Sequence, residues 1–297
     1  MHGNFLNEDT ENRIIRLIQS SFEKGHSIPE ALGILSEDLL NTDACIPDDI
    51  RRLLSNGVYD YHELIKNENY MSALRTTFNL IYDFICDYAK NLKFKIEGRR
   101  KGAINSIEKM LRLINEGRPL DLFRDALGIR VIIFGEETED LQQTAYCIIN
   151  DIITFMLDRH FTLCEVDKFP KRVPLDKGVN IMIPKESLIL PIYETGIKDY
   201  VFYPKSNGYQ SLHTVFRARN KSFIEIQVRT EQMHLNAEYD LADHGLYKTS
   251  KYGDRLHSKI DFSKIHMPGF RDMGNGDIYD DIGLQTSLLT FYRTRDF

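Results

Sequence analysis

The sequence of 297 residues predicts an α+β fold, in which a mixed β-sheet flanked by helices follows an all-helical N-terminal segment. In the first ninety-odd residues, apolar side chains recur every three or four positions, which is typical of amphipathic helices. Farther along, β-branched apolar runs alternate with helical patterns, as expected of a sheet with helices around it. We therefore divide the chain into a helical segment (1–94), an α+β domain (95–250) and a C-terminal extension (251–297).

The N-terminal segment shows the helical pattern in two parts. Residues 8–55 predict short amphipathic helices separated by glycine and proline. From Tyr61 onward one apolar stripe predicts a long helix with a single buried face. The stripe consists of Tyr61, Leu64, Ile65, Leu74, Phe78, Ile81, Ile85, Tyr88 and Leu92.

The α+β domain opens with a helix after Gly102, followed by the buried strand "GIRVIIFG" at 128–135. Residues 168–197 are interrupted by proline and glycine and predict an insertion or loop. The C-terminal fifty residues are rich in glycine and aspartate, and we expect them to be irregular. The other predicted elements are a helix at 139–158, strands at 160–167, 199–203, 213–218 and 222–229, and a helix from Glu231 to about His244.

Composition narrows the class of protein. With 42% hydrophobic and 28% charged residues, the chain is an ordinary soluble globular protein. It has no apolar run of about 18 residues and no N-terminal secretion signal, so we expect no membrane partner. Its four cysteines lack paired spacing, which argues against a zinc site or disulfide framework and fits a reducing cytoplasm.

Charge is distributed unevenly, although the net charge is only -6. Residues 1–88 hold 7 basic and 15 acidic side chains, whereas residues 89–118 hold 9 basic and 3 acidic ones. A basic stretch in an acidic protein indicates an anionic ligand, but a solvated helix face would explain it equally well.

The stretch "SFIEIQVRT" places a carboxylate inside a β pattern. Because side chains alternate between the two faces of a strand, Ile224, Ile226 and Val228 point one way. Phe223, Glu225, Gln227 and Arg229 point the other way. A strand with one solvated face would give this pattern without any function.

A second carboxylate, Asp125, precedes the strand at 128–135. Two carboxylates on neighbouring strands suit Mg²⁺ bridging phosphate oxygens. Asn207-Gly208 forms a turn, and Tyr209 after it offers a ring on which a nucleobase could stack. Basic side chains for phosphate are Arg99, Arg100, Lys101, Lys109 and Arg130. The residues by themselves predict metal-dependent phosphoryl-type transfer or nucleotide binding.

Four stretches carry a resemblance to a known family: "RRKGAINSIEKM", "DLFRDALGIRV", "KDYVFYPKSNGYQSLHTVF" and "FIEIQVRTEQMHLNAEYDLADHGLYK". In order and spacing they resemble the synthetase domain of the RelA/SpoT-homologue family, whose enzymes make the alarmone (p)ppGpp. The resemblance covers about residues 95–250. It implies a nucleotidyltransferase-like synthetase fold and transfer of pyrophosphate from ATP to the 3′-hydroxyl of GDP or GTP, releasing AMP.

The resemblance also implies roles for individual residues. Asp125 and Glu225 would hold Mg²⁺, and Glu225 would help to activate the attacking hydroxyl. Arg100 and Arg130 would enclose the ATP adenine, with Lys101, Ser106 and Lys109 at its phosphates. Tyr209 would stack on the acceptor guanine. The other residues implied to line the acceptor side are Lys205, Asn207, Gln210, His213, Gln227 and Arg229.

Two features set this chain apart within the family. Gly102 stands where the family has a lysine, so Lys101 would have to supply the charge. The N-terminal segment lacks the His…His-Asp…Asp arrangement of the family's hydrolase domain. The chain therefore resembles a small, single-function alarmone synthetase, a type that often forms homo-oligomers.

Other functions stay open. Some small relatives are toxins, neutralised by an antitoxin protein, that pyrophosphorylate the 3′ end of tRNA or make adenine alarmones. The basic stretch at 89–118 could hold an RNA backbone in such a protein. A catalytically degenerate nucleotide-binding regulator is a further alternative, against which the retained Asp125 and Glu225 argue.

Overall fold

The computed structural model describes five stretches of the chain: 68–101, 124–166, 168–219, 222–238 and 288–295. It also describes the short strands 271–272 and 278–279 and the isolated residues Arg16, Leu17, Ser20, Lys24, Ile34, Glu37, Lys109 and Leu113. The chain divides into two compact units. One comprises 72–99, 124–251 and 289–297, and the other comprises 1–71, 100–123 and 252–288. The predicted domain boundaries stay a prediction.

Seven strands of the described residues form one mixed sheet in the order β3-β5-β6-β2-β1-β9, with β4 paired to β5. β2 runs parallel to β6, and β5 runs antiparallel to β6. This mixed sheet with its helices confirms the predicted α+β class. The strands are β1 (Phe94–Arg100), β2 (Leu127–Ile133), β3 (Thr162–Leu163), β4 (Ile197–Asp199), β5 (Leu212–Arg217), β6 (Phe223–Thr230), β7 (Arg271–Asp272), β8 (Ile278–Tyr279) and β9 (Leu288–Arg295).

The helices that the structure describes are α1 (Glu68–Tyr88), α2 (Glu139–Asp158) and α3 (Glu231–Glu238), with a 3₁₀ helix at Pro191–Gly196. The prediction for α2 is confirmed at both ends. Its start follows from Thr138, whose side chain accepts a hydrogen bond from the backbone N–H of Leu141 at 3.2 Å. Two acidic residues in the first turn add favourable interactions with the helix dipole.

One face of the sheet is apolar and the other is polar. β6 alternates as predicted, with Ile224, Ile226 and Val228 fully buried. Each such side chain stabilises the fold by about 1.5–3 kcal/mol. Buried residues that share this core are Ile129, Val131, Leu212, Phe216, Ile149, Ile152, Ile153 and Met156. The predicted stripe of α1 is buried at Leu74, Phe78, Ile81 and Ile85.

The strand predicted at 199–203 is wrong, because β4 ends at Asp199. The Asp199 carboxylate accepts hydrogen bonds from the backbone N–H groups of Val201 at 3.0 Å and Phe202 at 2.9 Å. These bonds fold the chain into a turn directly after the strand. The strand predicted at 160–167 also shrinks, to Thr162–Leu163.

Four strands of the described residues escaped prediction: β1, β9 and the short pair β7 and β8, which also lie in the extension that was expected to be irregular. β1 lies in the basic stretch, where Phe94 and Ile96 are buried while Lys95 and Glu97 occupy the alternate positions. β9 lies in the extension that was expected to be irregular, an expectation that is wrong for its eight residues. Arg295 of β9 donates to the carbonyl oxygens of Cys86 (2.7 Å) and Lys90 (2.8 Å), at the C-terminal end of α1.

Other predicted elements lie outside the described residues: the helices at 8–55, most of the helix after Gly102, and the end of the last helix at His244. No helix in the described part of the chain is long and apolar enough to cross a membrane.

Candidate active site

The polar face of the sheet is assembled by strand register. Across the parallel pair, Arg130 of β2 lies opposite Gln227 of β6, and Gly128 lies opposite Glu225. Across the antiparallel pair, His213 of β5 also lies opposite Gln227. The chemistry-bearing residues of three strands therefore meet on one face.

These side chains form a continuous chain of hydrogen bonds. Tyr209 Oη lies 2.8 Å from His213 Nε2, and His213 Nδ1 lies 3.1 Å from Glu225 Oε1. Gln227 Nε2 donates to Glu225 Oε2 at 2.7 Å. Arg130 Nε donates to Gln227 Oε1 at 3.3 Å. An aromatic hydroxyl, an imidazole, a carboxylate, an amide and a guanidinium are thus connected across the sheet.

The charges of the Glu225–His213 pair follow from its surroundings. Burial lowers the pKa of His213, although Glu225 opposes the shift. Burial alone would raise the pKa of Glu225, but His213 and the amide of Gln227 stabilise the carboxylate and the net shift is downward. We therefore assign an ionised Glu225 beside a neutral His213.

This assignment fixes the direction of the hydrogen bonds. An ionised carboxylate only accepts, so His213 Nδ1–H is the donor to Glu225. A neutral imidazole has one N–H, so its Nε2 accepts from the Tyr209 hydroxyl. Burial raises the pKa of Tyr209, which keeps that hydroxyl protonated, although the charge of Arg229 opposes the shift.

Tyr209 also lies in an aromatic cluster. Its ring meets the ring of Tyr200 edge to face at 6.0 Å, and Tyr200 meets His213 at 5.3 Å. The Lys205 ammonium lies over Tyr209, 4.4 Å from the ring centroid. Cation and ring attract each other in this geometry. An aromatic face with an adjacent cation suits a base that carries phosphates.

Asp125 lies in the turn before β2 and is half-buried. Its charge acts to raise the pKa of Glu225, against the net downward shift, so the two carboxylates are close enough to interact. Among the described residues, no group of three or more His, Cys, Asp or Glu side chains assembles into a metal site. A pair of carboxylates still suits Mg²⁺, which takes one or two of them together with phosphate oxygens of a substrate.

Three predicted acceptor residues sit deeper in the fold. Asn207 Oδ1 accepts from the backbone N–H of Tyr209 at 3.4 Å, which shapes the turn before it. The Gln210 amide donates to the carbonyl oxygens of Met182 (2.8 Å) and Val201 (3.0 Å). Arg229 is completely buried on β6. Their acceptor roles stay predictions.

Most of the predicted ATP side belongs to the other compact unit. Arg100 ends β1, Lys101 follows it, and Lys109 is helical, the latter two half-buried. Ser106 lies outside the described residues. Arg130 is the exception, since it lies on the polar face. The grouping of the ATP residues around one nucleotide stays a prediction.

Sequence reasoning missed Glu97. It is 6% exposed, with its Oε1 2.8 Å from Lys95 Nζ and its Oε2 3.4 Å from Arg130 Nη1. The alternation of Phe94 and Ile96 with Lys95 and Glu97 could have revealed it. The excess of positive charge in that stretch masks the strand pattern.

Comparison with known proteins gives a direct match for part of this site. Residues 182–252 match the family described as a region found in RelA / SpoT proteins. This chain carries a RelA/SpoT region. The predicted resemblance is confirmed there, and the region contains Tyr209, His213, Glu225 and Gln227.

Individual relatives match over short segments. A probable chloroplastic GTP diphosphokinase of Arabidopsis thaliana is 50% identical over 64 residues, 22% of this chain and 9% of the relative. A GTP pyrophosphokinase of Haemophilus influenzae is 51% identical over 55 residues, 18% of this chain and 7% of the relative. A putative ankyrin repeat protein of Rickettsia felis is 50% identical over 102 residues, 34% of this chain and 9% of the relative. The aligned segments thus span less than a tenth of these curated relatives.

Among solved structures, the small alarmone synthetase 1 from Bacillus subtilis bound to its product pppGpp is similar to this chain. The match covers 62% of this chain and 78% of the other, with 20% identity and a TM-score of 0.35.

Proposed function

We propose that this chain transfers the β,γ-pyrophosphoryl group of ATP to the 3′-hydroxyl of GDP or GTP, releasing AMP. One observation carries the proposal. Within the RelA/SpoT region, the linked side chains Tyr209, His213, Glu225 and Gln227 lie on one polar face and join Arg130 there. Relatives named GTP diphosphokinase and GTP pyrophosphokinase match segments of 64 and 55 residues of this chain, which supports the same chemistry.

The reaction breaks one bond and forms one. The 3′-oxygen of the acceptor bonds to the β-phosphorus of ATP, and the bond from the β-phosphorus to the oxygen bridging it to the α-phosphate breaks. That oxygen leaves with AMP, and the hydroxyl proton passes to a base or to water. Negative charge grows on the phosphate oxygens in such a transition state. Positioned cations and hydrogen-bond donors therefore lower the barrier.

In this proposal the residues of the polar face have separate roles in binding and catalysis. Tyr209 would hold the acceptor base by stacking, and Lys205 beside it would meet the acceptor phosphates. Glu225, held at both oxygens by His213 and Gln227, would orient the attacking hydroxyl. Arg130 would meet the donor nucleotide. Holding both nucleotides in line supplies much of the rate enhancement, which reaches roughly 7–11 kcal/mol for well-oriented groups.

Mg²⁺ would be held by Asp125 and Glu225 and would offset charge on the transferred phosphates. The interaction between the two carboxylates supports this, because two like charges held close together favour a cation between them.

An acceptor panel tests the proposal. Purified protein would be incubated with Mg²⁺ and ATP labelled on the γ-phosphate, with GDP, GTP, ADP or deacylated tRNA in separate reactions. We expect label on GDP and GTP. Label on tRNA or ADP alone would replace the guanine acceptor with the toxin-type alternatives. No transfer to any acceptor would overturn the proposal in favour of a nucleotide-binding regulator.

A further inference from the structure

Glu97 is an unexpected carboxylate on a face proposed to take a nucleotide polyphosphate. It lies on β1, two strands from Glu225, and is 6% exposed. A buried carboxylate is costly unless it is paired, and one beside phosphates adds repulsion. The cost of burying Glu97 there must therefore be offset by its interactions with neighbouring residues.

The contacts of Glu97 show what that role is. Its Oε2 lies 3.4 Å from Arg130 Nη1, while Gln227 Oε1 lies 3.3 Å from Arg130 Nε. The planar guanidinium is thus held by acceptors from the strands on both sides of β2. Since guanidinium groups recognise ligands through a fixed plane, two such acceptors determine how Arg130 is presented.

Lys95 offsets the charge that Glu97 brings. Its ammonium lies 2.8 Å from Glu97 Oε1, so Lys95, Arg130 and Glu97 together stay net positive. The same ammonium lies 5.1 Å from the ring centroid of Tyr292 on the C-terminal strand β9. The hydrogen-bonded face therefore continues from β5 through β1 and meets β9 at its far edge.

We propose that Glu97 is a positioning residue that orients Arg130 toward the pyrophosphate donor, and that Tyr292 of the C-terminal strand supports it through Lys95. This inference rests on the proposed function, in which Arg130 meets ATP. Glu97 touches neither nucleotide. It acts through Arg130, so its removal changes binding of the donor and leaves binding of the acceptor unchanged.

The test measures donor binding directly by calorimetric titration with an ATP analogue whose α–β bridging oxygen is replaced by methylene, which cannot transfer pyrophosphate. Glu97→Gln should weaken this binding about tenfold, because a neutral amide replaces the charged acceptor that holds the Arg130 guanidinium. In steady-state assays the KM for ATP should rise by a similar factor while the KM for GDP stays within twofold. Glu97→Asp should recover part of the loss, and Tyr292→Leu should weaken binding about threefold.

A double-mutant cycle separates positioning from simple stability. If Glu97 acts through Arg130, Glu97→Gln should have no further effect in an Arg130→Met background. The matched control is Glu139→Gln. Glu139 lies on α2 and forms an exposed ion pair with Lys185, so the same change there should alter neither binding nor kinetics.

The results that would overturn the role of Glu97 differ from those that would overturn the proposed function. Additive effects in the cycle, or equal weakening of donor and acceptor, would overturn the role of Glu97. If the unmodified chain binds the analogue but transfers nothing, the proposed function fails while the titrations still decide the role of Glu97. If it does not bind the analogue, both proposals fail.

Discussion

Two carboxylates in the same compact unit, the buried Asp199 and the half-buried Glu225, show how hydrogen-bond partners define a role. Asp199 is 6% exposed and accepts hydrogen bonds from the hydroxyls of Tyr146 (3.0 and 2.9 Å) and Ser187 (2.6 Å). It also accepts from two backbone N–H groups in the turn after β4. Its donors come from neutral groups that shape the fold.

Glu225 has partners of a different kind. Its side chain is 16% exposed, and it is bound by His213 and Gln227 on a face that continues to Tyr209 and Arg130. Asp125 adds a second negative charge nearby. The hydrogen bonds of Asp199 are all made within the protein. Asp125 and Glu225, in contrast, are the pair for which we propose a bound cation or an oriented ligand.

Substituting Glu225 should produce the largest effect on activity. We expect Glu225→Gln to reduce pyrophosphate transfer by at least about 1000-fold, because the isosteric amide cannot hold a cation or orient the hydroxyl as a carboxylate does. AMP release by chromatography would measure the loss, with thermal unfolding to check the fold. Activity within tenfold of the unmodified chain would remove Glu225 from the site.

Asp199→Asn should show the opposite pattern. The amide brings an N–H₂ group toward the donors around it, so we expect a loss of about 2–3 kcal/mol in the free energy of unfolding. Activity per folded molecule should stay within a few-fold. Urea unfolding and active-site titration would measure the two quantities. Unchanged stability with lost activity would show that Asp199 belongs to the site.

Tyr209 tests the acceptor end of the polar face. Tyr209→Ala should raise the KM for GDP by roughly 10- to 100-fold, because base stacking on an aromatic ring is worth about 1–3 kcal/mol. Tyr209→Phe keeps the ring and loses only the hydroxyl that donates to His213, so the increase should be about fivefold or less. The KM for ATP should hardly change in either variant. Equal increases for both nucleotides would contradict base stacking at Tyr209.

Tyr146→Phe should have the smallest effect. Burial and the charge of Asp199 raise the pKa of Tyr146, so its hydroxyl stays protonated and donates to Asp199. Removing it should cost about 1 kcal/mol of unfolding free energy and leave the kinetics unchanged. The shift in the midpoint of urea unfolding would measure it. A tenfold fall in kcat would mean that the two regions are coupled more closely than their hydrogen bonds indicate.

The sequence predicted the central elements well, because their signals are local. Alternation in "SFIEIQVRT" predicts both faces of β6, and the predicted bounds of α2 agree with the helix in the structure. The residues themselves predict Glu225 and Tyr209, and the family resemblance adds His213. Their hydrogen bonds depend on the register between neighbouring strands, which cannot be inferred from the sequence of any one strand.

The elements and residues that the sequence did not predict correctly also have physical explanations. The strand predicted at 199–203 was lost to a side-chain turn at Asp199, since a local hydrogen bond overrode β-propensity. β9 pairs beside β1 from nearly two hundred residues away, so its neighbours in sequence gave no indication of its partner. The role proposed for Glu97 depends on its contact with Arg130, which lies on a different strand.

The most direct test of the central claim is the balance of products when the unmodified chain acts on γ-labelled ATP and GDP with Mg²⁺. Labelled guanosine product and AMP should form in equal amounts, and Glu225→Gln should form neither. Label released as inorganic phosphate with ADP, or undiminished guanosine product from Glu225→Gln, would contradict pyrophosphate transfer by the polar face.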